Sequence, residues 1–285
     1  MPRTILILGA SGRFGRHAAL AFQRHGWTVR RFRRGTDTLP DAAIGADIIL
    51  NAWNPPYPDW SRLVPGLTAS VIAAAQATGA AVMVPGNVYV YGASMPPVIG
   101  PQTPQAARNP LGRVRVEMET SYRASGVRTV ILRAGDFLDT EASGNWFDRV
   151  IAAKARDGRL TYPGPPDVPH AWAFLPDLAE AFAALADKVD DLPMFSDLGF
   201  EGYTLTGTEL ANAVADALGR PIRVKPMAWM PLQLARPFWP VARHLIEMHY
   251  LWRVPHRVDG TALKALLPEM EATPLTLAMQ QALKG

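Results

Sequence analysis

The chain of 285 residues contains no cysteine, which excludes a disulfide framework and thiolate metal sites and makes a reducing cytoplasm the expected location. Lysine is scarce as well: five residues against 24 arginines, the first at Lys154. No uninterrupted apolar run is long enough to cross a bilayer. The opening run MPRTILILGA is too short for an export signal and leads directly into a glycine-rich turn, so export is not expected. A net charge of +4 comes without a helix-turn-helix, zinc or aromatic RNA-binding signature, so nucleic acid is not an expected partner. Repeats and low-complexity linkers are also missing.

What remains is globular: 48% of residues are hydrophobic and 19% charged. Thr4–Leu8 is a short apolar run suited to a strand buried on both faces. A helix is predicted from about Gly12 to His25, stopped by Gly26. Thr28–Phe32, Asp47–Asn51, Ala80–Pro85 and Val127–Arg133 read as further strands, with helices over Leu63–Thr78 and Leu111–Ser125. Strand alternating with helix at this spacing implies an α/β, doubly wound parallel sheet of Rossmann type. Residues 1–165 are mainly this dinucleotide-binding unit; residues 166–285 complete the sheet and form a smaller substrate or lid lobe.

The later elements are less regular. Asn145–Arg156 and Asp177–Asp187 read as helices, and Tyr162–Pro169 as a loop. Thr206 to Glu209 has the spacing of a capping box opening Leu210–Leu218, with Gly219 as the stop. Met227–Val254 is rich in tryptophan, methionine and proline, but Arg236, Arg243, His244 and Glu247 break it, so it does not span a membrane. The pair Phe238-Trp239 is too short to argue for docking on a membrane surface. His244, Glu247 and His249 do not have metalloprotease spacing, and no metal is expected.

Gly9-Ala-Ser-Gly12-Arg-Phe-Gly15 stands between the first strand and the first helix. There the glycines permit a tight turn, close approach to a pyrophosphate and close packing of helix on strand, and the helix N-terminus faces the anion. Nucleotide contacts are assigned to Gly9, Ser11, Gly12, Arg13, Phe14 and Gly15, and to Asn51, Ala52, Gly86 and Ala134. After the second strand comes Arg31-Phe-Arg33-Arg34, with no acid until Asp37. Guanidinium groups pair well with a 2′-phosphate, so Arg33 and Arg34, with Arg13 reaching the same group, indicate NADP(H).

These motifs resemble the short-chain dehydrogenase/reductase superfamily, in its extended and atypical branches. The resemblance rests on the spacing of Gly9, Gly12 and Gly15, on Val88-Tyr-Val-Tyr91-Gly92, on Leu132-Arg-Ala-Gly-Asp136-Phe, on His170-Ala-Trp-Ala-Phe-Leu-Pro-Asp177-Leu-Ala, and on Tyr203-Thr-Leu-Thr-Gly-Thr-Glu209-Leu. It covers roughly residues 3–225 and implies a Rossmann fold with a nicotinamide cofactor. Members often dimerise through two helices, which is compatible with a homodimer.

The family's serine, tyrosine and lysine are not matched. Asn87 falls at the serine position, Leu111 at the tyrosine position and Arg115 at the lysine position, and none of the seven tyrosines has a lysine four residues later. Arg115 can still bind the ribose, but it is too weak an acid to exchange a proton. Tyr89 is the first candidate for proton donor, with Asn87 polarising the substrate. Strand alternation would place Tyr89 and Tyr91 on one face. On the substrate side Trp53, Tyr91, Phe137, Trp146, His170 and Trp172 suit an apolar or aromatic ligand.

The expected function is therefore an NADP(H)-dependent reductase of a small, largely apolar or aromatic carbonyl, imine or alkene. Two alternatives stand beside it: a catalytically silent NADP(H)-sensing regulator and a nucleotide-sugar epimerase or dehydratase.

Overall fold

Thr4–Leu8 forms β1, and its side chains show why the sheet lies in the middle of the molecule. Ile5 and Ile7 enter the core on one face, and Leu6 and Leu8 enter the core on the other. The structure is a computed structural model describing residues 2–284. After β1 come α1 (Arg13–Arg24), β2 (Thr28–Arg31), α2 (Leu39–Ala43), β3 (Ile48–Asn51), α3 (Trp60–Thr78), β4 (Ala81–Gly86), β5 (Val98–Ile99), α4 (Pro110–Ala124) and β6 (Thr129–Arg133). The rest supplies β7 (Asp136–Leu138), β8 (Arg159–Tyr162), β9 (His170–Phe174), α5 (Leu175–Asp187), β10 (Phe195–Gly199), β11 (Tyr203–Leu205) and α6 (Gly207–Leu218). It ends with β12 (Arg223–Pro226), α7 (Met230–Ala235), α8 (Pro240–Glu247), β13 (Arg257–Val258), α9 (Thr261–Leu266) and α10 (Leu275–Ala282).

Six parallel strands run in the order β2-β1-β3-β4-β6-β10, as the doubly wound reading requires. Helices α1 and α5 cover one face through Phe14, Phe22, Leu178 and Phe182, while α3 and α4 cover the other through Val71, Leu111, Met118 and Tyr122. The chain leaves β1 for β2 on one side and then returns to β3 on the other. That reversal opens a crevice at the C-terminal ends of β1 and β3, where such sheets bind their ligands.

One strand of a full dinucleotide fold is missing among the described residues. A complete sheet places a third strand outside the second; here β2 is the edge, and Gly35–Asp47 carries only the five-residue α2. The wall beside the adenosine half of the crevice is correspondingly short.

Three smaller sheets build the second lobe: β11-β9-β7, β12-β8 and β13-β5. Its core holds Phe147, Tyr162, Trp172, Phe174, Leu210, Trp252 and Met279. The expected capping box forms, with the Thr206 hydroxyl accepting from the Glu209 N–H and the Glu209 carboxylate accepting from the Thr206 N–H; Gly219 ends α6 in a left-handed conformation. The single helix expected over Asn145–Arg156 does not form. It divides into a π-helical turn at Phe147–Ile151 and a tight turn at Ala155–Asp157, and Ala152 N–H donates back five residues to Phe147. The wider turn lets Phe147 and Ile151 both face the lobe's core.

Candidate active site

The glycine-rich turn begins with Gly9 at φ +81°, a conformation suited to glycine. A Cβ on Gly9 would stand 2.8 Å from the carbonyl oxygen of Ala52, so β1 and β3 approach closely at the crevice. A Cβ on Gly15 would fall 2.1 Å from the Gly9 oxygen, which is why α1 can lie so tightly on the turn. Gly12 N–H donates to the Gly9 carbonyl at 2.9 Å. No side chain caps α1 and no acid occupies its first turn, leaving amide donors and the positive end of the helix facing the crevice. A pyrophosphate fits this cradle. Ser11 is exposed at its rim, whereas Phe14 is buried against Phe182 and supports the helix from behind.

Arg13 is directed away from the 2′-phosphate position assigned to it. Its guanidinium donates to the carbonyls of Ser143 and Gly144 at 2.7 Å each, and Asp139 beneath is bound by Arg16 and His17. These contacts tie segment 139–144 across the start of α1. Arg33 and Arg34 remain at the exposed end of β2. The carboxylate of Asp37 folds back to accept the Arg33 N–H at 2.7 Å and lies 3.5 Å from its guanidinium. Phe32 meets Trp53 edge-to-face, and Trp53 lies against Gly9, so both rings border the crevice.

At the inner end of the crevice, Asn51 donates to the Tyr122 hydroxyl and accepts from Trp53 N–H. Gly86 packs its bare Cα against Ile131, and Ala134 N–H donates to the Gly86 carbonyl. Asn87 is engaged locally. Its side-chain oxygen accepts the Tyr89 N–H at 3.0 Å, and its carbonyl accepts from Arg133. That local bond curls Tyr89–Tyr91 into a 3-10 turn, so the strand alternation expected there is lost. Tyr91 consequently turns inward, 1% exposed, with its ring under Arg133 and its hydroxyl on the Gly100 carbonyl. It cannot line the substrate pocket.

Tyr89 instead faces a second phenol that sequence reasoning missed. The hydroxyl oxygens of Tyr89 and Tyr57 are 2.7 Å apart. Tyr57 sits on the turn after β3, and Trp60, opening α3, lies against both tyrosine rings. Arg115 lies over the Trp60 ring at 4.1 Å and donates to the Asn54 side chain at 2.8 Å. Its Nε is buried without a hydrogen-bond partner among the described residues. Burial pushes both phenol pKa values up, and the negative charge of Asp136 reinforces the rise. Leu111, at the family's tyrosine position, is buried beneath Glu247 of α8, which accepts its N–H at 2.6 Å.

The remaining aromatic candidates divide. Trp172 is fully buried in the smaller lobe, and His170 is 1% exposed, bound to Asp136 at 2.8 Å and stacked on Trp252 at 4.2 Å. Both are structural, because the lobe folds around them. Phe137 and Trp146 are partly exposed, and Trp146 packs on Trp229 and Trp252. His244 pairs with Glu247 at 3.3 Å, while His249 stacks on Trp229 at 3.9 Å. The space beside Arg115 is nearly filled: a void of about 10 Å³ lies among Asn51, Trp53, Pro55 and Met118. A groove of about 380 Å³ opens at the opposite end of the strands, near Arg3, Asp47 and Arg128.

No protein-family model and no curated protein matches the chain. Solved structures do. MoeE5 in complex with UDP-glucose and NAD superimposes with a TM-score of 0.76 at 16% identity, over 99% of this chain and 97% of that one. A nucleoside-diphosphate-sugar epimerase from Pseudomonas aeruginosa gives 0.71 at 17% identity, over 99% and 96%. RMD from Pseudomonas aeruginosa complexed with NADPH gives 0.71 at 16% identity, over 100% and 97%. The likeness spans both lobes, and the fold is that of the extended short-chain dehydrogenases/reductases.

Proposed function

We propose that the chain is an NADP(H)-dependent oxidoreductase that reduces a small, largely apolar carbonyl or imine, with Tyr89 as proton donor. The observation that carries this reading is the Tyr57–Tyr89 hydrogen bond close to Arg115, the residue at the family's lysine position. A reduced nicotinamide, when bound, supplies hydride; the chain must supply the proton and exclude water. Gly9, Gly12, Gly15 and the α1 N-terminus would hold the pyrophosphate, Arg33 and Arg34 the 2′-phosphate, and Arg115 the nicotinamide-side ribose.

Tyr89 holds its proton at neutral pH and can pass it to a substrate heteroatom. The oxygen left behind can accept the Tyr57 O–H, and the Arg115 charge favours the anionic form of the pair. Tyr57 and Arg115 thus divide the work that a lysine does in the family. Asn87, committed to the Tyr89 backbone, holds the turn in position.

Two other readings each have one supporting observation. The full-length likeness to sugar-nucleotide enzymes favours an epimerase or dehydratase, and the filled space beside Arg115 favours a silent NADP(H)-binding regulator. Following NADPH absorbance with a panel of apolar aldehydes, ketones and cyclic imines separates them. Net oxidation, slowed roughly 100-fold or more in Tyr89→Phe, supports the reductase. Turnover unaffected by that substitution sinks the assignment of Tyr89. Conversion of a UDP-sugar without net consumption of NADPH supports the epimerase.

A further inference from the structure

The segment α7–α8 presents an apolar edge to solvent. Met230 and Leu234 are 70% and 71% exposed, Phe238 is 90% exposed and Trp239 46%. Met230, Leu234 and Phe238 recur at four-residue spacing, so the pair Phe238-Trp239 is the tip of a longer stripe. The inner side of the segment is anchored. Trp229 donates to the Pro163 carbonyl and stacks on His249, and Glu247 is bound to the N-terminus of α4. Four large apolar side chains held outward on an anchored support call for a partner surface.

Charge decides which partner. From Ala217 to Ile246 there is no aspartate or glutamate, while Arg220, Arg223, Lys225, Arg236 and Arg243 are all exposed and, among the described residues, none is in an ion pair. A second copy of the chain fits poorly, because a two-fold contact would set this acid-free, arginine-bearing segment against the same segment, with no carboxylate to pair with. A surface that is both apolar and negative satisfies the exposed apolar side chains together with Arg236 and Arg243 on the same segment. We propose that α7–α8 docks on the headgroup region of an anionic lipid bilayer, with Phe238, Trp239 and Leu234 inserted and the arginines on the lipid phosphates. The proposal is independent of the catalytic reading. It adds a location, since α8 packs on the turn carrying Tyr57, with the His244 ring 6.4 Å from the Tyr57 ring. The docked face is therefore the outer surface of the roof over the tyrosine pair.

Sedimentation of the full chain with vesicles tests this, comparing phosphatidylcholine alone with phosphatidylcholine containing phosphatidylglycerol. Binding is expected only to the anionic vesicles and should weaken as salt rises. Phe238→Ser and, separately, Arg236→Glu/Arg243→Glu should each lower the bound fraction roughly tenfold or more while leaving the circular dichroism spectrum and Tm unchanged. Folded protein that stays in the supernatant with both lipids overturns the proposal, as does undiminished pelleting of Phe238→Ser. A concentration-dependent dimer in sedimentation velocity, abolished by Phe238→Ser, overturns it in favour of a second copy.

Discussion

The hydroxyl oxygens of Tyr57 and Tyr89 lie 2.7 Å apart, joining two turns that leave adjacent strands of the central sheet. Each hydroxyl is the other's partner inside a ring of aromatic side chains. Tyr57→Phe or Tyr89→Phe alone should therefore cost about 1–3 kcal/mol, because one polar group is left without its bond. The double variant should cost less than the sum of the two, with a coupling of about 1 kcal/mol in urea unfolding. Both folded pKa values lie above the ordinary tyrosine value. Their contribution is thus complete below about pH 10 and is lost as pH rises through the folded values. Strictly additive single variants would show that the two phenols do not act as a unit.

Gly12 and Gly15 should respond differently to alanine, although both belong to one motif. A Cβ at Gly15 meets the Gly9 carbonyl at 2.1 Å, a clash of backbone on backbone that neither element can yield to. Gly15→Ala should destabilise the fold by about 1–3 kcal/mol or more. At Gly12, which is exposed, the same atom stands 3.1 Å from the Gly9 oxygen, within reach of a small adjustment. Gly12→Ala should keep Tm within a few degrees yet weaken NADPH binding. Thermal melts and fluorescence titration of both variants check this, and equal loss of stability in the two would refute it.

The parts of the fold legible in the sequence are those whose signal is local. Thr4–Leu8 is a strand with the expected bounds because five consecutive residues suit burial on both faces, and Thr206 with Glu209 forms its reciprocal cap because the spacing alone brings the groups together. The turn at Tyr89 defeated the alternation argument, although Asn87 two residues before it was a legible signal for a side-chain-to-backbone bond. Tyr57 had no signal at all. It reaches the site only because β3 and β4 are neighbours, a tertiary fact with no trace around Pro55–Pro58. His170 and Trp172 were placed near the substrate by the same kind of omission. Their burial depends on Trp252, some eighty residues later, closing over them.

We propose that Arg33 and Arg34 set a preference for NADP(H), just beyond an edge strand that has no outer neighbour among the described residues. With β2 at the rim both side chains are exposed; Arg33 must exchange its exposed pair with Asp37, 3.5 Å away, for a 2′-phosphate, whereas Arg34 has no such pair among the described residues. Arg33→Ala/Arg34→Ala should weaken NADPH roughly 10- to 100-fold and leave NADH nearly unchanged, since charge-assisted bonds to the phosphate are what is removed. Fluorescence titration with the two nucleotides reads this directly. Equal affinity of the native chain for both would remove the 2′-phosphate argument.

His256 supplies a pH dependence whose sign follows from its surroundings. It is 1% exposed, its Nδ1–H donates to the Val254 carbonyl, and its Nε2 is buried without a partner among the described residues. Burial, and then the neighbouring His170, push its pKa down from 6.5 to about 3. As pH falls below 6.5 the unfolded chain takes up a proton that the folded chain refuses, so stability declines progressively until about pH 3. By pH 5 the loss from this residue is about 2 kcal/mol relative to pH 7. Buried carboxylates respond to acid with opposite signs, Asp139 with its pKa lowered and Asp177 and Asp197 with theirs raised, so the comparison must be differential. In urea unfolding at pH 7 and pH 5, His256→Phe should lose less stability on acidification than the native chain by about that amount. Parallel losses in the two proteins would mean that His256 is protonated in the folded state as readily as in the unfolded one.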